Sequence, residues 1–165
     1  MLLLVSAALA GDFAATDYTQ APKQLSYEGH LAAPPDEVFA ALADYEGMSS
    51  WMPKVSHVEV DNSQATTDNG VGCERVCTFN GKPLNEKIVW YSEGQGIGYT
   101  VVDGPVDNHL GYVTVQSDGA GGTDLVWDQY FEVNSMKSRM MRKMMPKLLD
   151  EAVTNLDAQL TAPQS

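Results

Sequence analysis

Basic residues are scarce in this 165-residue chain: ten Lys and Arg stand against 22 Asp and Glu, for a formal net charge of -12. Phosphate backbones are held by a basic footprint, so nucleic acid is not expected as a partner. Cysteine is scarcer still, at two. Cys73 and Cys77 are four apart on a predicted strand, roughly 13 Å along it, more than a disulfide tolerates. His30, His57 and His109 are scattered, and no His or Cys spacing resembles a zinc site, so neither a metal nor a cofactor is expected. Long apolar runs are missing as well. LLLVSAALA, near the N-terminus, is too short to cross a bilayer, and no other stretch is apolar enough to do so. It ends in Ala8-Leu9-Ala10, like the cleavage site of an export signal, but no basic n-region precedes it, since the first Lys is Lys23. Cytoplasmic and exported locations both stay open.

Several catalytic motifs are absent too. There is no G-x-S-x-G elbow, no P-loop and no H-E-x-x-H. GQGIG, Gly94 to Gly98, has neither the spacing of a nucleotide loop nor a helix after it, and reads as a hairpin turn.

What is present suits one domain. Hydrophobic residues make up 44% and charged residues 19%, an ordinary globular composition. Residues 1–23 read as a signal-like or disordered extension, 24–160 as the domain and 161–165 as a tail. Nothing in the first 20 or so residues completes a sheet pattern, so they are expected to be dispensable for folding. QLSYEGHLAA alternates as a first strand. APPDEVFAALADYEGMSSWMP follows as two short helices, with prolines at the first helix start. From Val55 the chain is almost all strand, with Asn80-Gly81 as the strongest hairpin signal. A long amphipathic helix, from about Ser138 to Leu160, closes the domain, with a kink or restart expected at Pro146.

These elements predict an α+β fold: a curved antiparallel sheet of about seven strands wrapped around a long C-terminal helix, with two short helices after the first strand. Such a sheet need not close tightly on one helix, and the gap is a cavity. By alternation its inner face collects Val58, Val60, Cys73, Arg75, Cys77, Glu86, Ile88, Trp90, Tyr99, Val101, Leu125, Trp127, Gln129 and Phe131. The helices add Phe39, Met48, Trp51, Met141, Met145 and Leu148. Each of these serves equally as plain core, and the methionines also suit an adaptable cavity wall.

Arg75 and Glu86 are different. Burial of either charge alone costs several kcal/mol, so if both face inward they must meet each other, a ligand or water. A structural ion pair and a functional pair both remain open. Five of the ten basic residues, Lys137, Arg139, Arg142, Lys143 and Lys147, fall together at the start of the last helix. They are either a solvated face or a site for transient contact with an anionic membrane surface.

AAPPDEVFAALADYEGMSSWMPKVSHVEV resembles the opening of the START-like, or SRPBCC, superfamily, which includes polyketide cyclase/dehydrase-like proteins. GVGCER, Glu86 in NEKI, Tyr99 and GGTDLVW extend the resemblance over about residues 24 to 160. It implies a helix-grip fold with a deep hydrophobic cavity for a lipid, quinone or polyketide-like molecule, and a monomer is expected. It also implies two alternatives. One is a cyclase, dehydratase or isomerase with Glu86 as acid or base and Arg75 stabilising an oxyanion. The other is a lipid carrier that docks on membranes through its basic helix.

Overall fold

Seven strands and one long helix frame the molecule, and the computed structural model describes residues 13–163. The signal-like run at residues 1–10 lies outside the described residues. The strands are β1 (Lys23–Leu31), β2 (Val55–Asp61), β3 (Glu74–Phe79), β4 (Lys82–Ser92), β5 (Gly96–Asp103), β6 (Asp107–Ser117) and β7 (Thr123–Glu132). They form one antiparallel sheet in the order β1-β7-β6-β5-β4-β3-β2. Helix α1 (Pro35–Ala43) and a 3-10 turn (Glu46–Ser50) carry the chain from one edge of the sheet to the other. Asn80 and Gly81 adopt φ of 50° and 74°, the left-handed pair that a tight β3–β4 hairpin requires. The expected helix-grip arrangement is what the chain adopts.

Helix α2 (Ser135–Thr161) starts three residues earlier than the apolar period suggested, because Asn134 caps it. The Asn134 side chain accepts from the Lys137 amide at 3.0 Å, satisfying one of the free donors at the helix start. The restart expected at Pro146 does not occur. One continuous helix passes through Pro146, which removes a single N–H from the ladder while the turns on either side persist.

The two halves of α2 meet different surroundings. Leu149, Ala152, Val153 and Leu156 are buried against the sheet and α1. Gly29 in β1 allows this approach: a Cβ there would sit 3.1 Å from Val153 Cγ1. Towards the N-terminus the helix stands clear, and Met136, Met140 and Met144 are 79%, 55% and 50% exposed.

A β-bulge corrects one position of the inner face. Ile88 pairs with Tyr99, but the next pair is Trp90 with Gly98, so β4 carries one extra residue and its parity flips. Tyr91 therefore turns inward onto Phe39, with ring centroids 5.5 Å apart. Trp90 turns to the outer face, where it meets Phe13 at 5.0 Å and Tyr112 at 5.3 Å. Strict alternation assigns Trp90 to the interior because it has no signal for the inserted residue.

That outer cluster involves residues read from sequence as linker. Phe13 lies parallel on Tyr112 at 3.9 Å, and the Thr19 hydroxyl donates to the Asn108 carbonyl at 2.6 Å. An aromatic contact of this kind contributes about 0.5 to 1.5 kcal/mol beyond its area. Phe13→Ala is accordingly expected to lower stability by about 1 kcal/mol in urea titration; an unchanged midpoint would return the segment to a passive linker.

Candidate functional site

A cavity of about 310 Å³ lies between the inner face of the sheet and the N-terminal half of α2. Its walls are apolar: Met141, Met145 and Leu148 come from the helix, Leu84 and Val101 from the strands, and Met48 and Val55 from the far edge. Asn80, Lys54 and Pro105 lie on loops around it. The wall closes on one polar end.

Arg75 and Glu86 make that end. They are directly opposed in the β3–β4 register, so the tight hairpin sets them side by side on one face. Arg75 Nε donates to Glu86 Oε2 at 2.7 Å, with side chains only 6% and 8% exposed. The guanidinium is held between two rings, its Cζ 4.6 Å from the Tyr45 centroid and 4.9 Å from that of Tyr99. Burial alone would lower the Arg75 pKa, but the Glu86 carboxylate, together with Cys77, Tyr99 and Tyr45, offsets this and raises it. Cys77 Sγ also donates weakly to Glu86 Oε2 at 3.6 Å. Burial pushes the Cys77 thiol up to about 12. Tyr45 is anchored from behind, its hydroxyl donating to the Asn69 carbonyl at 2.7 Å.

A second polar group adjoins the pair. The Tyr99 hydroxyl accepts from Trp127 Nε1 and from Gln129 Nε2, both at 3.0 Å. Gln129 Oε1 in turn lies 2.9 Å from His109 Nε2. Glycine makes this row possible. Tyr99, Gly111 and Gln129 are neighbours across β5, β6 and β7, and a Cβ on Gly111 would fall 2.3 Å from Tyr99 Cζ. Only a residue without a side chain lets the Tyr99 ring cross β6 to reach β7. Burial pushes Tyr99 up to about 12 and lowers the pKa of His109, so at neutral pH the phenol keeps its proton and the imidazole is uncharged.

Of the candidate residues, Met48, Arg75, Cys77, Glu86, Tyr99, Trp127, Gln129, Met141, Met145 and Leu148 lie on the cavity wall. Phe39, Trp51, Val58, Cys73 and Ile88 are buried in the packed core beside it and do not reach the wall. Both cysteines are free thiols. His109 is a buried polar wall residue that sequence reading passed over, and Lys54 and Asn80, on loops at the rim, were passed over too. His109 shares the parity of Gly111, Val113 and Val115, and reading β6 two residues further back would have found it. Among the described residues no group of three His, Cys, Asp or Glu could hold a metal ion, and no helix is long and apolar enough to cross a membrane.

Residues 23–161 match the family model described as polyketide cyclase / dehydrase and lipid transport. Among solved structures, the chain is similar to a protein from Thermobifida fusca at TM-score 0.68 and 21% identity, covering 86% of this chain and 97% of that one. A START superfamily protein from Mycobacterium smegmatis superposes at TM-score 0.68 with 16% identity, over 82% of this chain and 95% of that one. A protein from Nitrosospira multiformis reaches TM-score 0.69 at 19% identity, over 86% and 97% respectively. At these identities the likeness is one of fold. No curated protein matches the chain.

Breaking a buried pair strands a charge, whereas removing both partners does not. Glu86→Gln is therefore expected to lose about 3 to 5 kcal/mol in denaturant unfolding, and the double variant Arg75→Leu/Glu86→Leu much less. Additive losses in a double-mutant cycle would mean the two charges are not coupled.

Proposed function

The chain belongs to the polyketide cyclase/dehydrase and lipid-transport family, and from that premise we propose that it binds a hydrophobic or amphipathic small molecule in its internal cavity. The observation that carries this reading is the 310 Å³ space itself, apolar along its walls and closed at one end by a buried ion pair. An apolar body gains by leaving water, and a few convergent polar groups fix its orientation. The enzymatic alternative uses the same atoms, with Glu86 as acid or base and Arg75 on an oxyanion. Binding is the better-supported reading because it needs only the cavity and its polar end, whereas proton transfer by Glu86 would also require it to loosen its 2.7 Å ion pair with Arg75. Ligand that binds only the native state stabilises it, by about 2.7 kcal/mol at a hundredfold excess over Kd. In a chain of this size that corresponds to a rise in Tm of about 5 to 10 °C. We expect 1-dodecanol to produce such a rise and Leu148→Trp, which fills the cavity, to abolish it. No shift in the wild-type chain would refute the reading.

One further observation favours a carrier that meets membranes. Met136, Met140 and Met144 recur every four residues as an exposed stripe, and Met140 and Met144 also border the cavity. Lys137, Arg139, Arg142, Lys143 and Lys147 surround this stripe and are all exposed. Because α2 is continuous, Lys137 and Arg139 lie near its N-terminus, where cations oppose the helix dipole and no acidic residue compensates in the first turn. A cationic, methionine-studded turn on a chain of net charge -12 complements an anionic lipid surface. Vesicles containing phosphatidylglycerol should bind the protein at low salt and release it at 0.5 M NaCl, and Met136→Asp/Met140→Asp should not bind. Equal binding to neutral vesicles would argue against the electrostatic part.

A further inference from the structure

The hydrogen bonds around Tyr99 can be followed in one direction only. The Val101 amide donates to His109 Nδ1 at 3.1 Å, so that nitrogen carries no proton. A neutral imidazole then holds its proton on Nε2 and donates it to Gln129 Oε1 at 2.9 Å. This orients the Gln129 amide, whose NH2 donates to Tyr99 Oη at 3.0 Å. Indole N–H is a donor only, and Trp127 Nε1 gives Tyr99 Oη its second hydrogen bond at 3.0 Å. Two donors occupy the acceptor capacity of the phenol oxygen. Its own hydrogen must point elsewhere, and Tyr99 lines the cavity.

The ion pair leaves complementary atoms beside it. The bond between Arg75 and Glu86 uses Nε and Oε2. None of the remaining Nη groups and Oε1 is both buried and unpartnered, and Arg75 and Glu86 both line the cavity. The polar end thus offers a phenol donor, guanidinium donors and one carboxylate acceptor. Its charges cancel: Arg75 and Glu86 form an ion pair and His109 is neutral. A carboxylate or phosphate placed there would face Glu86 with no net positive charge to hold it, at high desolvation cost.

We propose that the cavity selects ligands whose buried polar group is uncharged and accepts hydrogen bonds, a ketone, quinone or similar carbonyl, with Tyr99 as the residue that reads it. A hydroxyl next to the carbonyl would complete the match by donating to Glu86. The inference rests on the binding reading above and narrows its ligand class, excluding free fatty acids and phosphate head groups from the deep end. The chain of donors from Val101 to Tyr99 acts by positioning, since none of its other members needs to touch the ligand.

Three probes with one aromatic body separate the cases: naphthalene, 2-acetylnaphthalene and 2-naphthoate, titrated calorimetrically into the full chain. Lys54→Met is titrated in parallel, because Lys54 also lines the cavity, is exposed, and could hold a carboxylate at its outer side. We expect the ketone to bind at least tenfold tighter than the carboxylate in both proteins, and tighter than the parent hydrocarbon. In Tyr99→Phe the ketone should lose about 3- to 10-fold in affinity, the usual worth of one hydrogen bond, while naphthalene is unaffected. Naphthoate binding as tightly as the ketone in Lys54→Met, or a ketone indifferent to Tyr99→Phe, would overturn the inference and leave the binding reading intact. Failure of all three probes would overturn both. Should Tyr99→Phe not fold, the ranking of the three probes on Lys54→Met decides alone.

Discussion

A charged pair inside an apolar wall constrains everything built around it. Arg75 and Glu86 are tolerable at 6% and 8% exposure only because each is the other's partner at 2.7 Å. That requires a register accurate to one residue, since a slip of either strand by one would put the two side chains on opposite faces of the sheet. The Asn80-Gly81 turn sets this register, and its left-handed backbone is available to few other residue pairs. Tyr45 and Tyr99 also present their rings to the guanidinium, so the cation meets aromatic faces as well as a carboxylate. A loop tied through Asn69 holds Tyr45 in turn: Asn69 donates to the Ala43 carbonyl at 2.8 Å and accepts the Tyr45 hydroxyl on its own.

The division of α2 follows from the same geometry. Its C-terminal half is packed core, resting on β1 where Gly29 removes a side chain. The N-terminal half does not pack as deeply, and Met136, Met140 and Met144 there are at least half-exposed. Methionines occupy that position, and their unbranched side chains adapt to the irregular cavity wall. Packed core and cavity wall thus fall on different turns of one helix, and the half nearer the cavity is also the half that carries the basic residues.

The polar row of Tyr99, Gln129 and His109 shows how little the sheet needs in order to aim a single proton. A missing side chain at Gly111 lets one ring cross a strand. The Trp127 indole and the Gln129 amide NH2 both donate to the phenol oxygen. Tyr99, Gln129 and His109 are all buried, and in a low-dielectric interior the hydrogen bonds along such a row strengthen one another.

Much of this was legible in the residues. Period-two alternation fixes strand faces wherever one side of a sheet is buried, so Arg75 and Glu86 could be placed inward and together from their parity and the turn between them. The long helix and the short ones were equally plain, since apolar spacing and proline position act locally. Three features were not. Trp90 was assigned inward because a bulge leaves no mark in composition, and parity is lost at the inserted residue. His109 was passed over because a lone histidine carries no pattern, and only the row from β5 to β7 brings it to Tyr99. Phe13 had no strand to alternate with, and its partner Tyr112 is 99 residues away in the chain. Sequence by itself determined which face the regular elements would bury wherever no bulge intervened, a matter of local geometry. Tertiary structure alone decided which buried residues border empty space and which are packed solid, because a cavity depends on how far the helix stands from the sheet.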